Sequence, residues 1–201
     1  FHFWAKRLVY IRKLIKRKNG LFNGKTVKVW FKRAVSLARR TGAGVEAELG
    51  RIPGAEDTRT ACTEVVSKTV PAEVAGFVER SGTDVLAVGV GNIHGSYPSH
   101  PEIDLDLLSE LVALSPVPVS MHGTSGLSAA TVSAAVAAGA RKFNINTALR
   151  AAFFTHLQST TEDCSTLLDL LNLTVQGSAA VQKAVLETFT ALDQGPTSNS
   201  P

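Results

Sequence analysis

Val85-Leu86-Ala87-Val88-Gly89-Val90-Gly91 is an unbroken apolar run, followed at once by Asn92-Ile93-His94-Gly95. No polar residue alternates within the run, so both of its faces need cover. A strand buried on both sides belongs inside a parallel sheet, where helices shield it. Working outward, the same unit recurs. Upstream, residues 45–49 read as a short strand. A helix then begins near Pro71, with Val74, Phe77 and Val78 on one face and Gly82 closing it. Downstream come a proline-rich loop, a helix with Leu105, Leu108, Leu111 and Val112 on one side, and an apolar strand at 117–121. Ser128 is placed to cap a further helix, which carries Val132 and Val136 and ends at Gly139. Residues 142–145 read as the last strand, and helices from about Ala148 and Ala179 complete the chain. A short helical pattern at 31–40, stopped by Gly42 and Gly44, precedes all of this. Strand and helix alternate four times from Val45 onward, which predicts an α/β fold with parallel strands and helical crossovers.

Polar residues gather where each strand gives way to a loop: Glu48, His94, His122, then Asn144 and Asn146. From His94 to His122 is 28 residues, and from His122 to Asn144 is 22, each about one strand-helix unit. Successive strands would therefore deliver these side chains to one rim, the carboxyl end where α/β enzymes place their sites. Neutral imidazole is a common zinc ligand, and the matched positions of His94 and His122 point to a shared metal site. His2, His100 and His156 have no such placement and read as surface residues. Gly123-Thr124-Ser125-Gly126 opens a turn at one strand end, and Asn144-Ile145-Asn146-Thr147 opens a helix at the next. Backbone amides in such turns suit an anion, and barrel enzymes often bind phosphate between their last two strand-helix loops. In Glu46-Ala47-Glu48-Leu49-Gly50, alternation places both glutamates on one strand face. That face is either a solvated edge or a buried pair that meets partners or a metal.

Composition bounds the class. At 44% hydrophobic and 19% charged over 201 residues, the chain is globular and long enough for one core. No apolar run approaches the ~20 residues that span a bilayer. Cys62 and Cys164 make neither a disulfide framework nor a metal spacing, and are expected reduced, as in a cytoplasmic protein. Charge is uneven: residues 1–40 hold 13 Lys and Arg and no acid, leaving 41–201 with 8 bases against 17 acids. Within the head, Phe1, Trp4, Leu8, Ile11 and Ile15 recur at roughly helical spacing beside the bases. A basic amphipathic helix on an acidic surface, a targeting peptide and a single-strand nucleic-acid arm are each compatible with this pattern. The preferred expectation is a segment of uncertain structure outside the domain, with no nucleic-acid or membrane partner. Residues 1–30 are thus set apart, 31–195 form the domain, and 196–201 are a disordered tail.

The quoted motifs also resemble a known family. Glu46-Ala47-Glu48-Leu49-Gly50, Glu56-Asp57, Gly91-Asn92-Ile93-His94-Gly95, His122-Gly123-Thr124-Ser125-Gly126 and Asn144-Ile145-Asn146-Thr147 occur in the order found in class II fructose- and tagatose-bisphosphate aldolases. Tyr97, Pro101, Asp104 and Leu108 follow His94 as they do there, and the likeness covers about residues 31–154. The resemblance implies a (β/α)8 TIM barrel, of which only about strands 5–8 and their helices are present. It implies zinc as cofactor and reversible aldol cleavage of a ketose 1,6-bisphosphate to dihydroxyacetone phosphate and an aldehyde. His94 and His122 would be two of three zinc ligands, and Glu48 would serve an alternative or second metal position. Glu56 would be the catalytic loop glutamate that handles protons. Gly95, Gly123, Ser125, Asn144, Asn146 and Thr147 would hold phosphate and the triose. A homo-oligomeric intact parent is implied as well.

Departures from the family pattern set further expectations. The family's adjacent Asp-His pair, a proton-transfer acid and the third ligand, has no counterpart: no aspartate occurs before Asp57, and the only earlier histidine is His2. Pro53, in Ile52-Pro53-Gly54, replaces a usual glycine. The chain starts at Phe1 and its one methionine is Met121. An incomplete, inactive piece of a longer enzyme is therefore expected, with a non-catalytic phosphate- or metal-binding homologue or another metal-dependent phospho-sugar lyase as alternatives.

Overall fold

A computed structural model describes residues 8–11, 24–54, 67–95, 97, 101–160 and 165–193. Its centre is a five-stranded parallel sheet: β1 (Leu8–Ile11), β2 (Gly44–Leu49), β3 (Val85–Val88), β4 (Val119–Met121) and β5 (Lys142–Phe143). Each strand lies beside its predecessor in sequence. That sequential order is the pattern of a barrel wall and differs from doubly wound sheets, whose strand order reverses at a switch point. The helices are α1 (Gly24–Arg40), α2 (Val74–Ser81), α3 (Leu105–Leu114), α4 (Ala129–Ala137), α5 (Thr147–Thr160) and α6 (Leu167–Asp193).

The first four helices make the crossovers, and one sheet face is apolar to receive them. Leu49, Leu86, Val88, Val119 and Met121 pack with Val74, Val78, Leu108, Leu111 and Ala135 in one buried cluster. Val35, Ala38, Ala43 and Val45 form a second beneath α1. Alternation sends the intervening residues the other way, and register aligns Glu48, Ala87, Ser120 and Lys142 in one row across four strands. Thr69 closes the gap where β2 and β3 end, donating its hydroxyl to Leu49 O at 2.7 Å and accepting from Gly89 N at 2.9 Å.

Several expected boundaries change. Four strands were anticipated from Val45 on, and all four are present; the first gains Gly44 at its start and the other three are shorter. A fifth, β1, precedes them and pairs with β2, with Leu8 opposite Gly44 and Ile11 opposite Ala47. The spacing of Leu8 and Ile11 had suggested a helix; pairing with a neighbouring strand overrides that weak periodicity. The final helix starts at Leu167, not near Ala179, and the first at Gly24. Glu56, Asp57, Cys62, Cys164, His2, His100 and the 196–201 tail lie outside the described residues. His156 is half-buried on α5, with Nε2 enclosed, and is not a surface residue.

Ser128 caps α4 as anticipated, its hydroxyl accepting from Thr131 N at 3.1 Å. Ser128→Ala is expected to cost about 1 kcal/mol. Thermal melts should register this as a fall of ~2–4 °C in Tm. No shift would mean that the cap contributes nothing.

Candidate functional site

The carboxyl end of β2 and the segments that follow β3 and β4 bring Glu48, His94 and His122 together. One donor atom from each lies within 4.8 Å of the others, and all three residues are buried. The two rings meet edge to face, with centroids 5.6 Å apart at 83°. Glu48 Oε2 is 4.0 Å from His94 Nε2, while its Oε1 accepts from Ile52 N at 3.2 Å. Two nitrogens and one carboxylate oxygen, drawn together out of water, form the kind of donor set that binds a divalent cation with a position left open. The residues present therefore fit a metal ion, as the sequence anticipated for these three.

The other glutamate of β2 has a different task. Glu46 Oε1 sits 2.7 Å from His122 Nε2, and Glu46 Oε2 sits 2.8 Å from Lys142 Nζ. Burial pushes this carboxyl's pKa up, but the hydrogen bonds and charges of His122 and Lys142 outweigh it and hold the group below its ordinary value. Lys142 Nζ also donates to Asn144 Oδ1. Asn144 Nδ2 lies 2.9 Å from His122 Nε2 and 3.4 Å from Nδ1. The two acids on one strand face are thus neither solvated nor alone.

The loops are held by Asn92 and Tyr97, which the motifs include but to which sequence reasoning assigns no role. Asn92, fully buried, donates to Val88 O at 3.3 Å and His122 O at 3.0 Å, and accepts from Val90 N at 2.8 Å. It locks the His94 loop onto the His122 strand end. Tyr97 Oη donates to Gly123 O at 3.0 Å and accepts from Ile93 N at 3.2 Å. Burial pushes the Tyr97 hydroxyl's pKa up, against a smaller opposing pull from the Ile93 hydrogen bond. His94 N donates to Pro53 O at 2.7 Å, so the unusual proline keeps a useful carbonyl. Lys142 had one available signal: it shares a strand face with Asn144, two residues on.

The expected anion-binding residues adjoin this cluster. Gly123 has φ +67°, and residues 124–126 form the expected turn, one turn of 3-10 helix ahead of the Ser128 cap. Ser125 Oγ accepts from Asn146 N at 3.2 Å, joining the two loops. Thr124 Oγ1 donates to Asn144 O at 2.7 Å. Thr147 is the first residue of α5, and Gly95 follows His94 with φ +85°.

Comparison with known proteins agrees with this arrangement. The chain is similar in structure to the YdjI aldolase of Escherichia coli K12, at 27% identity and TM-score 0.72, over 96% of this chain and 63% of that one. A Coccidioides immitis protein assigned to fructose-1,6-bisphosphate aldolase matches at 22% identity and TM-score 0.75, over 94% and 63%. The fructose-bisphosphate aldolase of Campylobacter jejuni matches at 22% and 0.61, over 84% and 56%. The last two show the fold alone, and the chain spans less than two thirds of each matched structure. The family model for fructose-bisphosphate aldolase class-II matches residues 30–195, well over half of the sequence. The chain belongs to the class II fructose-bisphosphate aldolase family.

Proposed function

We propose that these residues carry the metal- and phosphate-binding part of a zinc-dependent aldolase. The reaction is reversible cleavage of a ketose 1,6-bisphosphate to dihydroxyacetone phosphate and an aldehyde. The observation that carries this reading is the convergence of Glu48, His94 and His122 donors within 4.8 Å at adjacent strand ends. When bound there, the ion supplies Lewis-acid polarisation of the ketose carbonyl. Gly95, Gly123, Ser125, Asn144, Asn146 and Thr147 would seat the phosphate and orient the triose, which converts remote binding energy into alignment at the reacting carbon. Glu56 would move the proton. The five strands are read as consecutive members of an eight-stranded barrel, supported by their sequential parallel order. Cytoplasmic location and a homo-oligomeric parent belong to the same proposal and rest on the family. No helix among the described residues is long and apolar enough to cross a membrane.

The 201-residue chain offers no Asp-His pair ahead of Asp57, so it is proposed to bind metal without completing catalysis. Cobalt titration should show one saturable site, reduced by His94→Ala. Assayed with fructose or tagatose 1,6-bisphosphate and zinc, the chain should turn over well below ~1 per second. Chelator-sensitive turnover at or above that rate would contradict the incomplete site. Absence of any cobalt site would remove the metal reading itself.

A further inference from the structure

We propose that Glu46 is a positioning residue for His122: it fixes the imidazole as the Nε2–H tautomer and leaves Nδ1 to bind the metal, with Lys142 holding the carboxylate in place. The proposal rests on His122 as a metal ligand, the reading given above, but its core concerns a proton that is present without metal.

Three observations carry it. First, Glu46 is fully buried, and its two oxygens are divided between two partners, His122 Nε2 at 2.7 Å and Lys142 Nζ at 2.8 Å. An ionised carboxylate only accepts, so the proton in the short His122 contact belongs to Nε2. Second, Asn144 Nδ2 is near both ring nitrogens, and Lys142 engages the amide oxygen, which fixes the amide's direction. The amide lies closer to Nε2, at 2.9 Å, than to Nδ1, at 3.4 Å; with the Nε2 proton given to Glu46 it can donate to Nδ1 alone, a lone pair it must yield when an ion binds there. Third, Glu46 stands outside the group of donors that converge on a common point. It therefore serves the ring and not the ion. Ligating histidines generally give their second ring N–H to a carboxylate or carbonyl, which sets ring orientation and raises ligand basicity. Here the carboxylate comes from β2, the ring from β4 and the brace from β5, so the ring's orientation depends on sheet register across four strands.

Two-bond proton–nitrogen correlation spectra of the metal-free chain, labelled with nitrogen-15 in histidine, read the His122 tautomer directly. Expected is the Nε2–H form in the wild type. Glu46→Gln replaces an obligate acceptor with an amide able to donate, and should shift the ring toward Nδ1–H. Competition titration with cobalt should show affinity falling about 10–100-fold in Glu46→Gln. Glu46→Asp keeps the charge and should restore the Nε2–H form with part of the affinity. A wild-type ring in the Nδ1–H form overturns the proposal without any variant. So does a folded Glu46→Gln chain that keeps both tautomer and affinity. A wild-type chain with the Nε2–H ring that binds no cobalt instead overturns the metal reading and with it Glu46's service to an ion, while the ring assignment stands.

Discussion

His122→Ala is expected to remove high-affinity metal binding and to cost more stability than His94→Ala. The ring is 2% exposed, so its loss leaves a cavity as well as a missing donor. Metal affinity should fall by more than the ~10–100-fold typical of losing an outer partner, because a ligand itself is gone. The second cost falls on Glu46, which keeps Lys142 but loses its 2.7 Å contact. Breaking a buried pair typically costs ~3–5 kcal/mol when the remaining charge is stranded. With Lys142 still bound, the lower end of that range is expected. His94→Ala is the informative comparison: it removes a donor from the same cluster without stripping Glu46. Both variants should lose cobalt binding in competition titrations, and urea unfolding should find His122→Ala the less stable. Equal stability losses would contradict the place given to the Glu46–His122 pair.

The fold was legible wherever burial wrote itself into composition. The run at 85–91 is read from its unbroken apolar character, and the faces of Val74 with Val78 and Leu108 with Leu111 from helical periodicity; Leu86, Val88 and Val90 lie with those four in one core cluster. The reading failed where local and tertiary preferences diverge. Leu8–Ile11 is flanked by bases and shares a weak helical spacing with its neighbours; it is a strand because β2 offers it a ladder. The last helix begins twelve residues before the expected start near Ala179 and runs through Gly177. In the structure Gly177 is buried within α6 against Phe153 of α5, where an added Cβ would lie 2.6 Å from a ring carbon. The glycine permits close helix approach, a packing reason that no propensity scale contains.

The candidate site was legible in its donors and opaque in its supports. His94, His122 and Glu48 announce themselves by chemistry and by their place at strand ends. Asn92 and Lys142 do not, since their importance lies in partners 30 and 96 residues away, His122 and Glu46. Glu46 illustrates the limit: alternation placed it beside Glu48, but only register decides that one carboxylate joins the donors and the other braces a ring.

Gly123→Ala tests that loop architecture, and Gly42→Ala is its control. Both glycines sit in the left-handed region, with φ +67° and +68°. An L-residue there costs ~1–2 kcal/mol from its own backbone. At Gly42 an added Cβ meets nothing within 4 Å, so the loss should stop at that figure. At Gly123 the Cβ would lie 1.7 Å from Ile93 O and 2.7 Å from Ile93 C, a backbone overlap that no rotamer relieves. Relief requires the 92–95 segment to move. That movement pulls on the hydrogen bond from Tyr97 to Gly123 O and on the bond from Asn92 to His122 O. Overpacking of this kind adds ~1–3 kcal/mol to the backbone term. Denaturant unfolding should therefore separate the two variants by at least about 1 kcal/mol. Because His94 lies in the displaced segment and His122 adjoins the substituted residue, Gly123→Ala should also weaken cobalt binding, while Gly42→Ala should leave it unchanged. Matched stabilities and unchanged cobalt affinity in both would show that the two metal-loop backbones are not held in contact, and would remove the loop packing as the device that sets His94 against His122.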